Sequence, residues 1–191
     1  MQLHDQAGKR LYLTSAERGA FLDAATKAPR EVRTFCQVLH FTGCRISEAL
    51  ALTPQALDFA AGCIIFETLK KRRLGVYRAV PVPPNVLDTL DLVHGIKDAL
   101  TRPEPTQGRI WPWCRMTAWR RVSEVMDAAE IAAGPHRCPK GLRHGYGVHA
   151  IGAGVPLNLL SRWMGHASLE VTAIYTNALG EEQRAIAARM W

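Results

Sequence analysis

The sequence predicts a mainly α-helical domain with one small antiparallel β corner, and three observations predict it. Apolar residues recur at the 3.6-residue period through most of the 191-residue chain. One pair of β-branched and aromatic runs, CIIFETL and YRAVPV, flanks the basic segment KKRRLG. The composition is 48% apolar with no internal repeat, and the length suits one well-buried core. A single unit over residues 1–191 is therefore expected.

Taken in order, LTSAERGAFLDAATKA opens on Thr14 and Glu17, spaced as a capping box in which each side chain satisfies the other's backbone N–H group. Phe21, Leu22 and Ala25 follow at helical spacing. In REVRTFCQVLHFTGCRISEALAL, Val32, Phe35, Val38 and Leu39 keep that period until Gly43 interrupts it, and a further helix is expected from about Arg45. The junction reads as a form of helix-turn-helix. From Cys63 the two β-prone runs predict a hairpin whose exposed tip carries Lys70, Lys71, Arg72 and Arg73. PPNVLDTLDLVHGIKDAL reads as one helix with proline at its start, and TRPEPTQGRIWPW as a surface loop too short to separate domains. MTAWRRVSEVMDAAEIA, KGLRHGYGVHAIGAG, PLNLLSRWMG and SLEVTAIYTN are further helices. EEQRAIAARMW is a last, amphipathic one with Ile186 and Met190 on one face.

Charge narrows the partners. Lys and Arg number 24 against 17 Asp and Glu, a net charge of +7, so polyanions are the first candidates, with a merely basic soluble protein as the alternative. Five cysteines stand far apart with no C-x-x-C spacing, which suggests neither a disulfide framework nor a zinc site and fits a reduced, cytoplasmic setting. No apolar run approaches a membrane span, and MQLHDQAGKRLYLT lacks the apolar core of a secretory signal, so no membrane partner is expected.

Several residues carry chemistry in this context. Arg45 in TGCRISEAL and Arg143 in KGLRHGYG sit among apolar residues that draw them inward, where each needs a partner. Glu48, three positions after Arg45, shares its helical face and can orient it, and both guanidinium forks suit an oxyanion. An internal Arg–Glu pair without a ligand is the alternative for Arg45. Ser168 is a good N-cap, which puts His166 just before a helix N-terminus, a place that favours anions. Tyr175 lies seven residues beyond that cap, roughly 10 Å along a helix axis, so His166 and Tyr175 would address one anion from the two ends of a short segment. Trp111, Trp113 and Trp119 can stack on bases or simply pack. Gly145 and Gly147 each cost a helix about 1 kcal/mol relative to alanine, for no reason visible in the sequence.

These residues, in this order, resemble the catalytic domain of the tyrosine recombinases, the phage-integrase family, over nearly the whole chain. That family's pattern is a TG-x-R-x-x-E block, a hairpin lysine, a His-or-Lys-x-x-Arg block, a GH pair, and a nucleophilic tyrosine nine residues after that histidine. The matching positions are Arg45 with Glu48, Lys70 or Lys71, Lys140 with Arg143, His166, and Tyr175. His144 matches a frequent histidine and implies a supporting role, with a satisfied core histidine as the alternative. Lys140 stands where histidine is commoner.

The resemblance implies a DNA breaking-rejoining enzyme fold and a covalent 3′-phosphotyrosine at Tyr175, which conserves the bond energy so that strands rejoin without a nucleotide cofactor. Arg45, Arg143 and His166 would stabilise charge on the phosphate, as metal ions do elsewhere. Lys70, nearer the strand and preferred to Lys71, would protonate the leaving 5′ oxygen. No cofactor and no metal are implied, and no Asp/Glu cluster at metal-ligand spacing is seen. The implied partners are double-stranded DNA, contacted also by Lys70, Lys71, Arg72 and Arg73, and further copies of the chain in a tetramer assembled through the C-terminal helix. The family's usual N-terminal core-binding domain has no counterpart in residues 1–191, as in a fragment or a minimal recombinase. The alternatives are a type IB topoisomerase, which typically has lysine where most recombinases have the GH histidine, and a DNA-binding regulator that keeps the fold without turnover. The intact set of matches argues against the regulator.

Overall fold

Thr14 starts the first helix as its sequence requires. Glu17 N–H meets the Thr14 hydroxyl at 3.2 Å while the Glu17 carboxylate takes the Thr14 N–H at 2.8 Å. In the computed structural model, which describes residues 2–67, 75–102, 108–177, 181–188 and 190, this helix is α1 (Ser15–Lys27). α2 (Arg30–Thr42) ends at Gly43, whose φ of +58° is the left-handed cap that glycine adopts without strain. A Cβ there would also lie 2.4 Å from the Tyr146 ring. α3 (Ile46–Leu50) follows at once with Arg45 as its N-cap residue.

The β corner has one more strand than expected. β1 (Leu57–Asp58), β2 (Cys63–Glu67) and β3 (Tyr77–Pro81) form an antiparallel sheet in that order, with Ile64 opposite Val80 and Phe66 opposite Arg78. β1 is two residues long and leaves no period-2 pattern to read. The hairpin tip, with Lys70, Lys71, Arg72 and Arg73, lies outside the described residues. The single helix expected after it is two, α4 (Pro84–His94) and α5 (Ile96–Thr101), because Gly95 takes a φ of +61° and closes the first with its N–H on Asp91. α6 (Arg115–Ala128) ends sooner than its apolar pattern, and Glu130 turns the chain at φ +53°.

α7 (Pro139–Gly152) passes between two apolar clusters. Leu142 belongs to the larger one, with Phe21, Phe35, Leu39, Ile64, Leu90, Trp111 and Met126; Val148 and Ala150 belong to a smaller one, with Leu3, Tyr12, Leu160, Met164 and Tyr175. Truncating a fully buried ring such as Phe35 to alanine costs about 3–5 kcal/mol in such a core. α8 (Leu157–Met164) ends at Gly165, again left-handed. The segment expected as one helix around Tyr175 is a five-residue α9 (Leu169–Ala173) followed by a 3₁₀ turn, Ile174–Asn177, and Ser168 makes no side-chain cap bond. Its tighter winding turns the Tyr175 ring inward, against α7. The last helix, α10 (Glu181–Ala187), packs on α7 of its own chain, with Ile186 half-buried and Met190 82% exposed. No helix among the described residues is long and apolar enough to cross a membrane.

Candidate active site

The α2–α3 junction holds the first arginine. Glu48 accepts the Arg45 backbone N–H at 2.7 Å and its Nη1 at 2.8 Å, so one carboxylate caps the helix and aims the guanidinium. The other partner of Glu48 is Arg78 of β3, whose Nη2 lies 2.7 Å from Oε2 and whose Nε donates to the Trp163 carbonyl at 2.8 Å. Burial alone would raise the Glu48 carboxyl, but Arg78, the Arg45 N–H and the Arg45 guanidinium outweigh it and hold it below its ordinary value. Arg78 was not singled out from the sequence, although strand alternation marks it: it shares the inward face of β3 with Val80. Arg45, expected to be drawn inward, stays partly open, with 24% of its side chain exposed.

Arg143 is 4% exposed and held by carbonyls. Nη1 donates to Gly43 at 2.6 Å and Nη2 to Met164 at 2.7 Å, tying α7 to the ends of α2 and α8. Burial first, and Arg45 next, lower its pKa to about 10, so it remains charged at neutral pH. Its Nη2 also lies 3.1 Å from His166 Nε2. A guanidinium only donates, so that imidazole nitrogen is the acceptor and Nδ1 carries the proton, donated to Thr172 Oγ1 at 2.8 Å. Burial, then Arg143 and Arg45, push the His166 pKa down to about 3, which keeps the ring neutral. Thr172 is fully buried and was not read from the sequence; nothing in a lone helical threonine marks it.

Tyr175 is fully buried. Its hydroxyl lies 3.3 Å from His144 Nδ1, and its ring is stacked with His166 at a centroid separation of 6.0 Å. The two residues are thus face to face, not at opposite ends of a helical segment. Burial pushes the Tyr175 phenol up to about 12 even though Arg143 and Arg45 pull the other way. His144 is also fully buried and is lowered to about 4 by burial, then by Lys140 and Arg143. Its Nε2 has no hydrogen-bond partner among the described residues, so within the protein the ring is engaged through Nδ1.

The glycines of α7 now have a cause. A Cβ on Gly147 would lie 2.6 Å from the Tyr175 ring, one on Gly145 2.4 Å from the Leu13 carbonyl, and one on Gly141 overlaps the His136 carbonyl. Close packing against the tyrosine and the N-terminal segment therefore outweighs their helix propensity.

Arg45, Lys140 and Arg143 border one cleft of ≈ 500 Å³, completed by Ile46, Ser47, Arg115, Trp119, Cys138 and Pro139. Tyr175 and His166 are not among its lining residues; His166 adjoins Arg143, and Tyr175 stacks on His166. Lys70 and Lys71 lie outside the described residues. No group of three or more His, Cys, Asp or Glu among the described residues is placed to hold a metal ion.

The sequence model described as the phage integrase family matches residues 11–182. Tyrosine recombinase XerD of Mycobacterium tuberculosis is 31% identical over 156 residues, covering 75% of this chain and 47% of the relative. Tyrosine recombinase XerA of Pyrococcus furiosus is 28% identical over 173 residues, covering 86% and 56%. The chain thus spans about half the length of these relatives. The crystal structure of XerA recombinase superimposes with a TM-score of 0.74 at 20% identity, over 94% of this chain and 64% of that one. The catalytic domain of bacteriophage HP1 integrase gives 0.62 at 20% identity, over 94% and 95%. The mainly helical fold with its small antiparallel sheet is therefore that of tyrosine recombinase catalytic domains.

Proposed function

The chain belongs to the phage integrase family, and on that premise we propose that it performs the strand cleavage and rejoining of a site-specific DNA recombinase. One observation carries the reading: residues scattered from position 45 to position 175 meet around a single cationic cleft with a tyrosine at its back. The substrate is double-stranded DNA, and the working form is a homo-tetramer assembled on it through the C-terminal helix.

The scissile phosphate lies in the cleft against Arg45 and Arg143, whose forks are already fixed by Glu48, Gly43 and Met164 and need no reorganisation as charge develops. His166, with both ring nitrogens engaged, serves the phosphate through Arg143 by fixing its Nη2. The Tyr175 hydroxyl loses its proton to solvent in the open cleft as its oxygen attacks phosphorus, the bond to the 5′ oxygen breaks, and a 3′-phosphotyrosine remains. The proton for the departing 5′ oxygen comes from the hairpin lysine, Lys70 in preference to Lys71. Rejoining is the reverse, with the 5′ hydroxyl as nucleophile. A phenol raised to about 12 is a poor nucleophile where it stands, so Tyr175 leaves its pocket for the cationic cleft before it reacts.

The test is a nicked suicide duplex carrying a site that the protein selects from a random-sequence pool. A covalent protein–DNA species on a denaturing gel is the expected result. Selective binding without any covalent species defeats the reading in favour of a regulator.

A further inference from the structure

The two arginine forks of the cleft are held in different ways. Arg143 donates to the Gly43 and Met164 carbonyls, which are neutral, so its charge is left for the cleft. Arg45 is held by a carboxylate, through Glu48 Oε1. An isolated pair of this kind favours two parallel bonds, fork to fork, and carries no net charge. Either property would withdraw Arg45 from an anion in the cleft.

Arg78 opposes both. Its Nη2 lies 2.7 Å from Glu48 Oε2, the oxygen that a fork-to-fork pair would need, and the Arg45 backbone N–H donates to the same oxygen at 2.7 Å. One carboxylate then serves two guanidiniums, and the cluster keeps one net positive charge. The Arg78 and Glu48 side chains are 4% and 1% exposed, so salt and water screen them little. Against burial, Arg78 is the strongest of the groups that hold the Glu48 carboxyl below its ordinary value. Arg78 is itself fixed in place. Its Nε donates to the Trp163 carbonyl at 2.8 Å, its guanidinium lies 5.0 Å from the centre of the Phe66 ring, and a Cβ on Gly165 would approach Nη1 to 3.1 Å. Arg78 is not among the residues lining the cleft, so its influence on a phosphate there runs through Glu48 and Arg45. Stability alone does not call for it, because well-packed apolar side chains often serve a core at least as well as a buried ion pair.

We infer that Arg78 is a positioning residue for strand cleavage: by occupying Glu48 Oε2 and balancing that carboxylate's charge, it leaves the Arg45 guanidinium turned to the cleft and free to meet the scissile phosphate. This rests on the recombinase reading and adds to it a residue that touches no substrate.

Single-turnover adduct formation on the suicide duplex tests the inference, at saturating protein and at a temperature where the variants compared are folded. Arg78→Met removes both charge and donors, and it should cleave roughly tenfold to a hundredfold more slowly than the parent, a smaller loss than that of deleting the Arg45 fork itself. Arg78→Lys keeps a charge beside Oε2 and should stay within a few-fold of the parent. The double variant Arg45→Ala/Arg78→Met should cleave within a few-fold of Arg45→Ala alone, because no fork is left for Arg78 to position. An Arg78 that served the fold alone would cost the same factor in both backgrounds. Arg78→Gln replaces the methionine variant if that one does not fold. The inference is overturned by parent-like cleavage in the neutral variant, by a loss in Arg78→Lys as large as in the neutral variant, or by losses that multiply in the Arg45→Ala background. Tyr175→Phe serves as the control: if the parent forms no adduct that this variant removes, the recombinase reading itself falls.

Discussion

The cleft bordered by Arg45, Lys140 and Arg143 and the pocket around Tyr175 share helix α7, yet one is open and cationic and the other closed and apolar. In the cleft, the Arg45 and Arg143 forks are braced from behind by Glu48 and by the Gly43 and Met164 carbonyls, so a place for the proposed phosphate is already formed. In the pocket, Leu3, Tyr12, Val148, Leu160 and Met164 surround a phenol whose hydroxyl, among the described residues, meets a neutral histidine. The difference assigns separate tasks. On the proposed reading the cleft supplies transition-state charge, and the pocket stores a nucleophile that is inert until it moves. Substitutions on the two sides should therefore fail in different ways.

The largest effect belongs to the stored group. Tyr175→Phe should abolish covalent adducts on the suicide duplex while DNA affinity and the urea midpoint stay near the parent's, since only one buried hydroxyl is removed. An adduct formed by Tyr175→Phe would remove this residue from the chemistry and dissolve the comparison.

Next come the two arginines. Each alanine variant should lose at least a hundredfold in cleavage rate, by analogy with deleting one oxyanion donor at about 3–4 kcal/mol. They should separate in stability. Arg45 is partly open, so Arg45→Ala should unfold near the parent's midpoint, whereas Arg143→Ala leaves the Gly43 and Met164 carbonyls without their donor and should unfold earlier. Cleavage within a few-fold of the parent would show that both serve the fold alone.

Gly147→Ala sharpens the comparison from the pocket side. Its Cβ would meet the Tyr175 ring at 2.6 Å, an overpacking worth about 1–3 kcal/mol and a fall in Tm of roughly 2–4 °C per kcal/mol. If, as proposed, the tyrosine leaves this pocket to react, adducts should form at least as fast as in the parent at temperatures where both are folded. Slower cleavage would mean that the closed position is the reactive one.

The contrast also explains what could be read in the sequence. The cleft is written in local patterns, because Arg45 and Glu48 are three residues apart on one turn and Gly43 ends a helix where its period breaks. The β corner was legible in its two longer strands and not in β1, which is too short to alternate. The pocket is written in long-range contacts. Gly147 against Tyr175, like Arg78 against Glu48 behind the cleft, depends on which faces meet, and spacing carries no record of that. The helix expected through Tyr175 failed for the same reason, since packing on α7 overrides the propensity of SLEVTAIYTN.

Acid should loosen the pocket at a predictable place. His144 and His166 are held at about 4 and about 3, below an unfolded value of ~6.5, so the unfolded chain binds more protons between those limits. Their contribution is complete above pH ~6.5 and is lost as pH falls toward 4. Glu48 acts lower, because its depressed carboxyl protonates only below its ordinary range. Urea unfolding at pH 7, 6 and 5 should show stability falling with acid, and His144→Gln should remove up to ~1.4 kcal/mol per pH unit of that slope. An unchanged slope would mean that His144 is not kept neutral by burial.

The smallest expected effect tests whether cleft and pocket exchange a proton. Lys140 borders the cleft, and its charge is felt by His144 at the pocket wall. A charged lysine donates hydrogen bonds and accepts none, so it can steady the phosphate but cannot take the Tyr175 proton. On the recombinase reading Lys140 is therefore a donor to the phosphate and not the acceptor of the Tyr175 proton. Lys140→His should then cleave within a few-fold of the parent, and Lys140→Ala should cleave more slowly without an equal loss of DNA affinity. The pH–rate profile of single-turnover cleavage decides between the roles. An inflection between about pH 6 and 8 that vanishes in Lys140→Ala would make the lysine a titrating base and would join the two regions into one proton path.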